Sequence, residues 1–414
     1  MGHYYEMYTS EMQKYNYLDP EKTLDLFYEA EALEAKVGEM KAVADQSFLY
    51  SQIKQIIENE YDIGKVVEVY EIFGGYVNRS FGVYTEKDGE KLTWFFRKYM
   101  RNKDMNELQL EHRLLLYAKE QGFERGACPV IGKDGKTFYS LDQKMEDGSI
   151  ETWYFAAYNF IEGRASYDWI NNLMEEHSYI SVAELVADLH NSVRDFDPNG
   201  FERAEPNCNA LMDRFPSDFR GYSDAYAKAG YENCYTEFFE SRLDYIEEMC
   251  KKAIIPEADF KNLPICPLQC DFHPGNVKYD RKGYVTGIYD FDWAKMDIRL
   301  FEFGLGMVYF FASWDAENDG EIYMDRVVKF LNAYNARLRE LGGLEPIGDL
   351  EKKYLYELLI IGNQYLVRWC SEAYYKDMTM NPYEYLYYMK HQVRGLKWLE
   401  ANEEYVRKMS MEIK

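Results

Sequence analysis

The sequence predicts an α+β protein of two lobes, a small strand-rich one followed by a larger, mostly helical one. Three observations carry that expectation. At 414 residues the chain exceeds what one hydrophobic core usually serves. Strand-like runs bounded by glycine turns crowd between Val66 and Tyr99. From Ile180 onward, apolar residues recur mainly at helical spacing.

Residues 1–62 read as a helical extension, with Leu24, Leu26, Phe27, Ala30, Leu33, Val37 and Met40 at mixed three and four spacings after a start at Asp19-Pro20-Glu21. Strands are then expected at Val66 to Phe73, Phe81 to Thr85 and Leu92 to Tyr99, with Gly74-Gly75 and Asp88-Gly89 as turns. Alternation sends Arg97 and Lys98 to opposite faces of the third strand, so only one can point into a cleft. Asn106 to Gln121 places Leu110, Leu114, Leu115 and Ala118 on one helix face and stops at Gly122. A hairpin around Asp134-Gly135 and Asp147-Gly148 leads to an apolar strand, Trp153 to Ile161. Helices follow at Ile180 to His190, Tyr235 to Lys251, Val327 to Leu341 and Leu350 to Tyr374, then an aromatic segment, Tyr383 to Met389.

Asp plus Glu is 72 against Lys plus Arg 48, a formal charge of −24, which opposes nucleic acid and anionic membrane as partners. A cationic or neutral small substrate fits that balance better. The seven cysteines are odd in number and include no C-x-x-C pair, so neither a disulfide framework nor a zinc site is indicated. The first residues are polar and acidic, unlike a signal peptide, and Phe303 to Trp314 is about half a membrane crossing and reads as a buried helix. A cytoplasmic setting is expected.

The chemistry concentrates in Gln269 to Phe301. Asp271 is followed after four residues by Asn276, and Asp290 and Asp292 end the apolar run Tyr284 to Tyr289. Phosphoryl transfer from ATP needs a carboxylate to orient and deprotonate a hydroxyl, an amide oxygen on a Mg²⁺, and a second carboxylate bridging metal and phosphates. Asp271, Asn276 and Asp290 have the residue types and spacing for those three roles. Asp, Asn and Pro-Gly are also ordinary turn residues, but a turn alone does not require Asp290 on the next strand.

The run C-D-F-H-P-G-N, with I-Y-D-F on the following strand, resembles the aminoglycoside phosphotransferase and choline kinase family. Gln269 and Cys270 stand where that family often has His and Gly, and Glu302 where it usually has a structural Asp. The resemblance spans roughly residues 65–375 and implies a two-lobed protein-kinase-like fold using ATP and Mg²⁺. Under it, residues 63–160 form the nucleotide-binding lobe and 161–414 the catalytic and substrate-binding lobe. The glycine turn with Gly75, Asn78 and Ser80 would cover the phosphates. Phe95-Phe96-Arg97 matches the family's strand cation and favours Arg97 as phosphate ligand, with Lys98 the alternative. Glu111 matches the helix glutamate that pairs with that cation, and Glu107, one turn away, competes. Backbone near Tyr158 to Phe160 would form the adenine-binding hinge, and His190 would be a packed, helix-ending residue.

The leading function is a kinase acting on a hydroxyl of a small molecule. Sugars or amino sugars are favoured by a faint likeness to N-acetylhexosamine kinases, and aminoglycosides, choline-like amines and homoserine remain open. A nucleotide-binding pseudokinase is the competing class, opposed by the intact Asp, Asn and Asp set. A protein kinase is disfavoured because no A-P-E anchor or long activation segment follows Asp290.

Overall fold

The computed structural model describes residues 49–72, 78–100, 103–144, 148–376 and 381–414. The apolar series Leu24 to Met40 and the Gly74-Gly75 turn lie outside the described residues. Helix α1 (residues 49–60) precedes β1 (Lys65–Ile72), β2 (Arg79–Lys87) and β3 (Glu90–Lys98); α2 (Met105–Glu120), β4 (Tyr139–Lys144) and β5 (Ile150–Asn159) follow. The five strands make one antiparallel sheet in the order β1-β2-β3-β5-β4. Asp88 and Gly89, with φ of 54° and 83°, form the two-residue link between β2 and β3. That left-handed pair matches the twist of the strands it joins. The Asp104 side chain caps α2 by accepting the Asn106 N–H at 2.7 Å.

The rest is helical, apart from two small two-stranded sheets. Helices α3 (Glu176–Ser192), α4 (Cys208–Ala229), α5 (Cys234–Glu240), α6 (Leu243–Ala253) and α7 (Glu257–Phe260) lead to β6 (Ile265–Leu268). Strands β7 (Val277–Tyr279), β8 (Val285–Ile288) and β9 (Lys295–Ile298) are followed by α8 (Arg299–Phe311), α9 (Met324–Leu341), α10 (Asp349–Lys376), α11 (Pro382–Ala401) and α12 (Glu403–Ser410). The expected single helix Tyr235 to Lys251 is two, broken at Ser241 and Arg242. There the Ser241 hydroxyl donates back to the Phe238 carbonyl at 2.7 Å, and the Arg242 N–H bonds the Phe239 carbonyl, which tightens and ends α5. The Tyr383 to Met389 segment belongs to α11. Among the described residues no helix is long and apolar enough to cross a membrane.

Among the described residues two hydrophobic cores result. One joins the sheet to α1 through Leu49, Ile53, Ile57, Phe81, Val83, Phe96 and Phe155. The other fills the helical region and takes in Leu108, Leu110, Leu114 and Leu115 of α2. The cleft opens where the sheet meets the helical region.

Candidate active site

The short strand β6 delivers Gln269, Cys270 and Asp271, and a 3₁₀ turn, Pro274–Asn276, returns the chain into β7. The Asn276 Nδ2 closes that turn by donating to both the backbone oxygen and Oδ2 of Asp271, at 2.8 Å each. With its nitrogen committed there, the Asn276 amide oxygen is left as an acceptor for a ligand. The His273 imidazole Nε2 lies 3.7 Å from Asp271 Oδ2. Tyr289 locks the turn to the end of β8: its N–H bonds the Asn276 carbonyl at 3.0 Å, and its hydroxyl donates to the Gly275 carbonyl. Gln269 fastens the same seam, donating Nε2 to the carbonyls of Tyr289 and Asp290 at 2.6 and 2.9 Å.

Two residues flanking this seam sit in left-handed backbone, Cys270 at φ 58° and Asp290 at φ 65°. Such residues cost on the order of 1–3 kcal/mol and persist where surrounding bonds over-determine them. Glycine would adopt the Cys270 conformation without strain, which gives a physical reason for the family's glycine there. The Cys270 N–H donates to Glu302 Oε2 at 3.1 Å, so the Glu that replaces the usual Asp still braces the turn. Burial raises the Glu302 carboxyl to about 7, against the lowering effect of the Cys270 and Gln269 N–H groups.

Alternation along β3 sends Phe95 and Arg97 into the cleft and Phe96 into the sheet core. Arg97, 4% exposed, pairs with Asp290 Oδ1 at 2.9 Å. Burial opposes its charge, and the carboxylates of Asp290 and Asp292 more than offset that, so the guanidinium stays protonated. Lys98 takes the opposite face, its ammonium 3.2 Å from the centre of the Trp153 ring. The cleft cation of this strand is therefore Arg97.

Asn78 and Ser80 line the cleft, and Asn78 donates Nδ2 to Asp292 Oδ2 at 2.6 Å. The buried Asp292 leaves Oδ1 without a partner, and burial followed by the adjacent Asp290 raises its pKa to about 6. Its carbonyl oxygen is held by Lys103 at 2.8 Å and Arg203 at 3.3 Å, and both cations also pair with Glu107.

The expected pairing of Glu111 with the strand cation is not formed. Glu111 is sealed in a separate buried network, accepting from the Tyr99 hydroxyl at 3.1 Å and the Tyr158 hydroxyl at 2.9 Å, while Arg97 turns to Asp290. Burial raises the Glu111 carboxyl, with Arg97 acting against it, and burial lowers the neighbouring His112 to about 3. Nor does Tyr158 reach the cleft as a hinge residue. Ala157 O and Asn159 N are bonded to Val130 and Cys128, so alternation turns the Tyr158 backbone toward its β3 partner Phe95. Phe160 and Ile161, just past the strand, do line the cleft.

The far end of the cleft comes from residues that no motif announced. The cavity, about 780 Å³ in all, runs from Arg97, Asp271 and Asp290 to Trp169, Trp369 and Tyr388, with Asp168, Glu372 and Glu384 among the walls. The Trp169 ring centroid lies 4.6 Å from that of Tyr388 and 6.1 Å from that of Trp369. This loop abuts the 269–276 turn: a Cβ added at Gly275 would lie 3.6 Å from the Asp168 Cα. Lys278 also lines the cleft, and burial lowers its pKa.

An antiparallel sheet bearing a buried cation above a helical body bearing the Asp-to-Asn turn is a two-lobed, protein-kinase-like fold. The model of the Phosphotransferase enzyme family (APH) matches residues 68–341, and the chain belongs to that family; it is a small-molecule kinase. It is 22% identical over 303 residues to a homoserine kinase of Bradyrhizobium sp. (strain ORS 278), covering 71% of this chain and 76% of that protein. The amicoumacin kinase hAmiN, solved with AMP-PNP and Ca²⁺, superposes with a TM-score of 0.56 at 14% identity, covering 88% of this chain and 96% of that one. Choline kinase of Cryptosporidium parvum Iowa II gives 0.52 at 13% identity, covering 82% and 91%. These two likenesses are of fold.

Proposed function

We propose that the protein transfers the terminal phosphoryl group of ATP to a hydroxyl of a small, amine-bearing alcohol. The observation that carries this reading is one cleft joining a closed Asp271–Asn276 turn and an Arg97–Asp290 pair to an acid-flanked aromatic wall. Asp271 orients the acceptor hydroxyl and takes its proton, while Arg97 holds Asp290 and faces the phosphates. The amide oxygen of Asn276 and the carboxylate of Asp290 are hard oxygen donors, and the unpartnered Asp292 Oδ1 beside them adds to a local demand for positive charge. These residues fit a Mg²⁺ ion, which would supply charge neutralisation at the transferring phosphoryl group. Asn78, Ser80 and Gly75 would cover the phosphates, with Phe160 at the base. The nucleotide lobe is taken as residues 63–160 and the catalytic lobe as 161–414.

Three aromatic rings with Asp168 and Glu384 favour a cation over a neutral sugar, because ring faces and carboxylates both attract an ammonium group; Glu372 on the same wall is already paired with Arg368 at 2.7 Å. Amino sugars, aminoglycosides, choline-like amines and homoserine all satisfy that demand. The test is ADP release from Mg·ATP across a panel pairing each amine with its neutral or N-acetylated analogue. Turnover confined to the amines is expected. Equal turnover of the neutral partners would remove the ammonium reading, and no turnover with any alcohol would remove the kinase reading.

A further inference from the structure

Among the described residues, the Lys and Arg side chains that line the cleft are Arg97, Lys278 and Arg368. Arg97 is paired with Asp290 at 2.9 Å, and Arg368 with Glu205 at 3.3 Å and Glu372 at 2.7 Å. Lys278, only partly exposed, has no carboxylate within ion-pair distance and no side-chain hydrogen bond among the described residues; its ammonium lies 5.2 Å from the Tyr289 ring centre. In a chain of formal charge −24, a half-buried lysine with no carboxylate partner sets an unmatched positive charge in the cleft, one that an anionic ligand can meet.

Its position says which anion. On the β7–β8 pair Lys278 lies opposite Gly287. Opposite residues share a face, and a Cβ at Gly287 would come within 2.7 Å of Ile161 Cγ2, so the Lys278 side chain leaves the sheet beside Ile161, just beyond the end of β5. The Tyr289 ring it approaches is tied by its hydroxyl to Gly275 and immediately precedes Asp290. The ammonium thus occupies the ground between the wall that would hold the base and the turn that would hold the metal. A nucleotide bound as proposed above must lay its sugar and first phosphate across that ground.

Resting on that nucleotide reading, we propose that Lys278 is a ligand of the nucleotide's phosphate chain, supplying from below a cation that complements Arg97 from above. Its methylenes pack along the wall while the ammonium reaches the phosphate oxygens.

Calorimetric titration of the full chain with ADP and with adenosine tests this without turnover. Lys278→Met should weaken ADP binding about 10-fold, the scale of a lost charge-assisted hydrogen bond. Adenosine binding should be unchanged, and Lys278→Arg should retain most ADP affinity. Unchanged ADP affinity in Lys278→Met, or an equal loss for adenosine, would overturn the assignment. Wild-type protein that binds neither ATP nor ADP would overturn the kinase reading itself, a result distinct from any of these.

Discussion

The two ends of the cleft are held by different forces. At the Asp271 end directed bonds set the geometry: Asn276 onto Asp271, Gln269 onto two carbonyls, the Cys270 N–H onto Glu302, Arg97 onto Asp290. At the Trp369 end the geometry comes mainly from rings packed edge to face between α10, α11 and the loop carrying Trp169, with the Tyr388–Glu384 bond and the Arg368–Glu372 pair at its margin. Directed bonds fix atoms to fractions of an ångström and fail abruptly when one is removed. Ring packing tolerates exchange and shifts gradually. Under the proposed function, chemistry is assigned to the first end and selectivity to the second.

The sharpest test of that division is Asp271→Asn, which should lower kcat by about 10² to 10⁴ while leaving Mg·ATP affinity nearly unchanged. A variant that keeps wild-type kcat would break the assignment of chemistry to this end. Next in size is the pH response of Glu302. Its folded pKa of about 7 lies above the 4.5 of an ordinary glutamate, so the stability it contributes is full below about 4.5 and is lost as pH rises through about 7. Wild type should lose up to about 3 kcal/mol across that window relative to Glu302→Gln. Parallel denaturation curves for the two proteins from pH 4.5 to 8 would show that folding does not raise the Glu302 carboxyl.

On β3, Arg97→Ala should raise the ATP KM about 10-fold and Lys98→Ala less than two-fold, since only the first faces the cleft. The reverse ranking would mean a strand slipped by one residue. The smallest effect is expected at the packed end. Trp369→Ala should raise the acceptor KM several-fold, with kcat and the ATP KM little changed, as loss of one ring from a cation site implies. A kcat collapse there would show that the two ends are not separable.

The same contrast explains what could be read from the sequence. Asp271, Asn276 and Asp290 lie within twenty residues and are joined by local turns and a hairpin, so their spacing carries their geometry. Arg97 was legible as one of two candidates, because alternation limits the choice but does not orient the strand. Glu111 was misplaced because sequence order puts an acid on the right helix without showing that Tyr99 and Tyr158 will claim it. Tyr158 lies two residues short of Phe160, its backbone still inside the sheet. Trp169, Trp369 and Tyr388 meet only through the packing of a loop on two helices distant in sequence, and the aromatic run at Tyr383 to Met389 is their one faint signal.

Helix α1 carries a consequence for how the chain can be shortened. Leu49, Ile53, Ile56, Ile57 and Tyr61 are buried in the sheet's own core, so residues 49–62 are less an appendage than the sheet's outer wall. Trimming the chain back to the first strand would bare Phe81, Val83, Phe96 and Phe155 to water, and a single twisted sheet with an open apolar face pairs with its copies. A protein begun at Gly64 should therefore be recovered as aggregate.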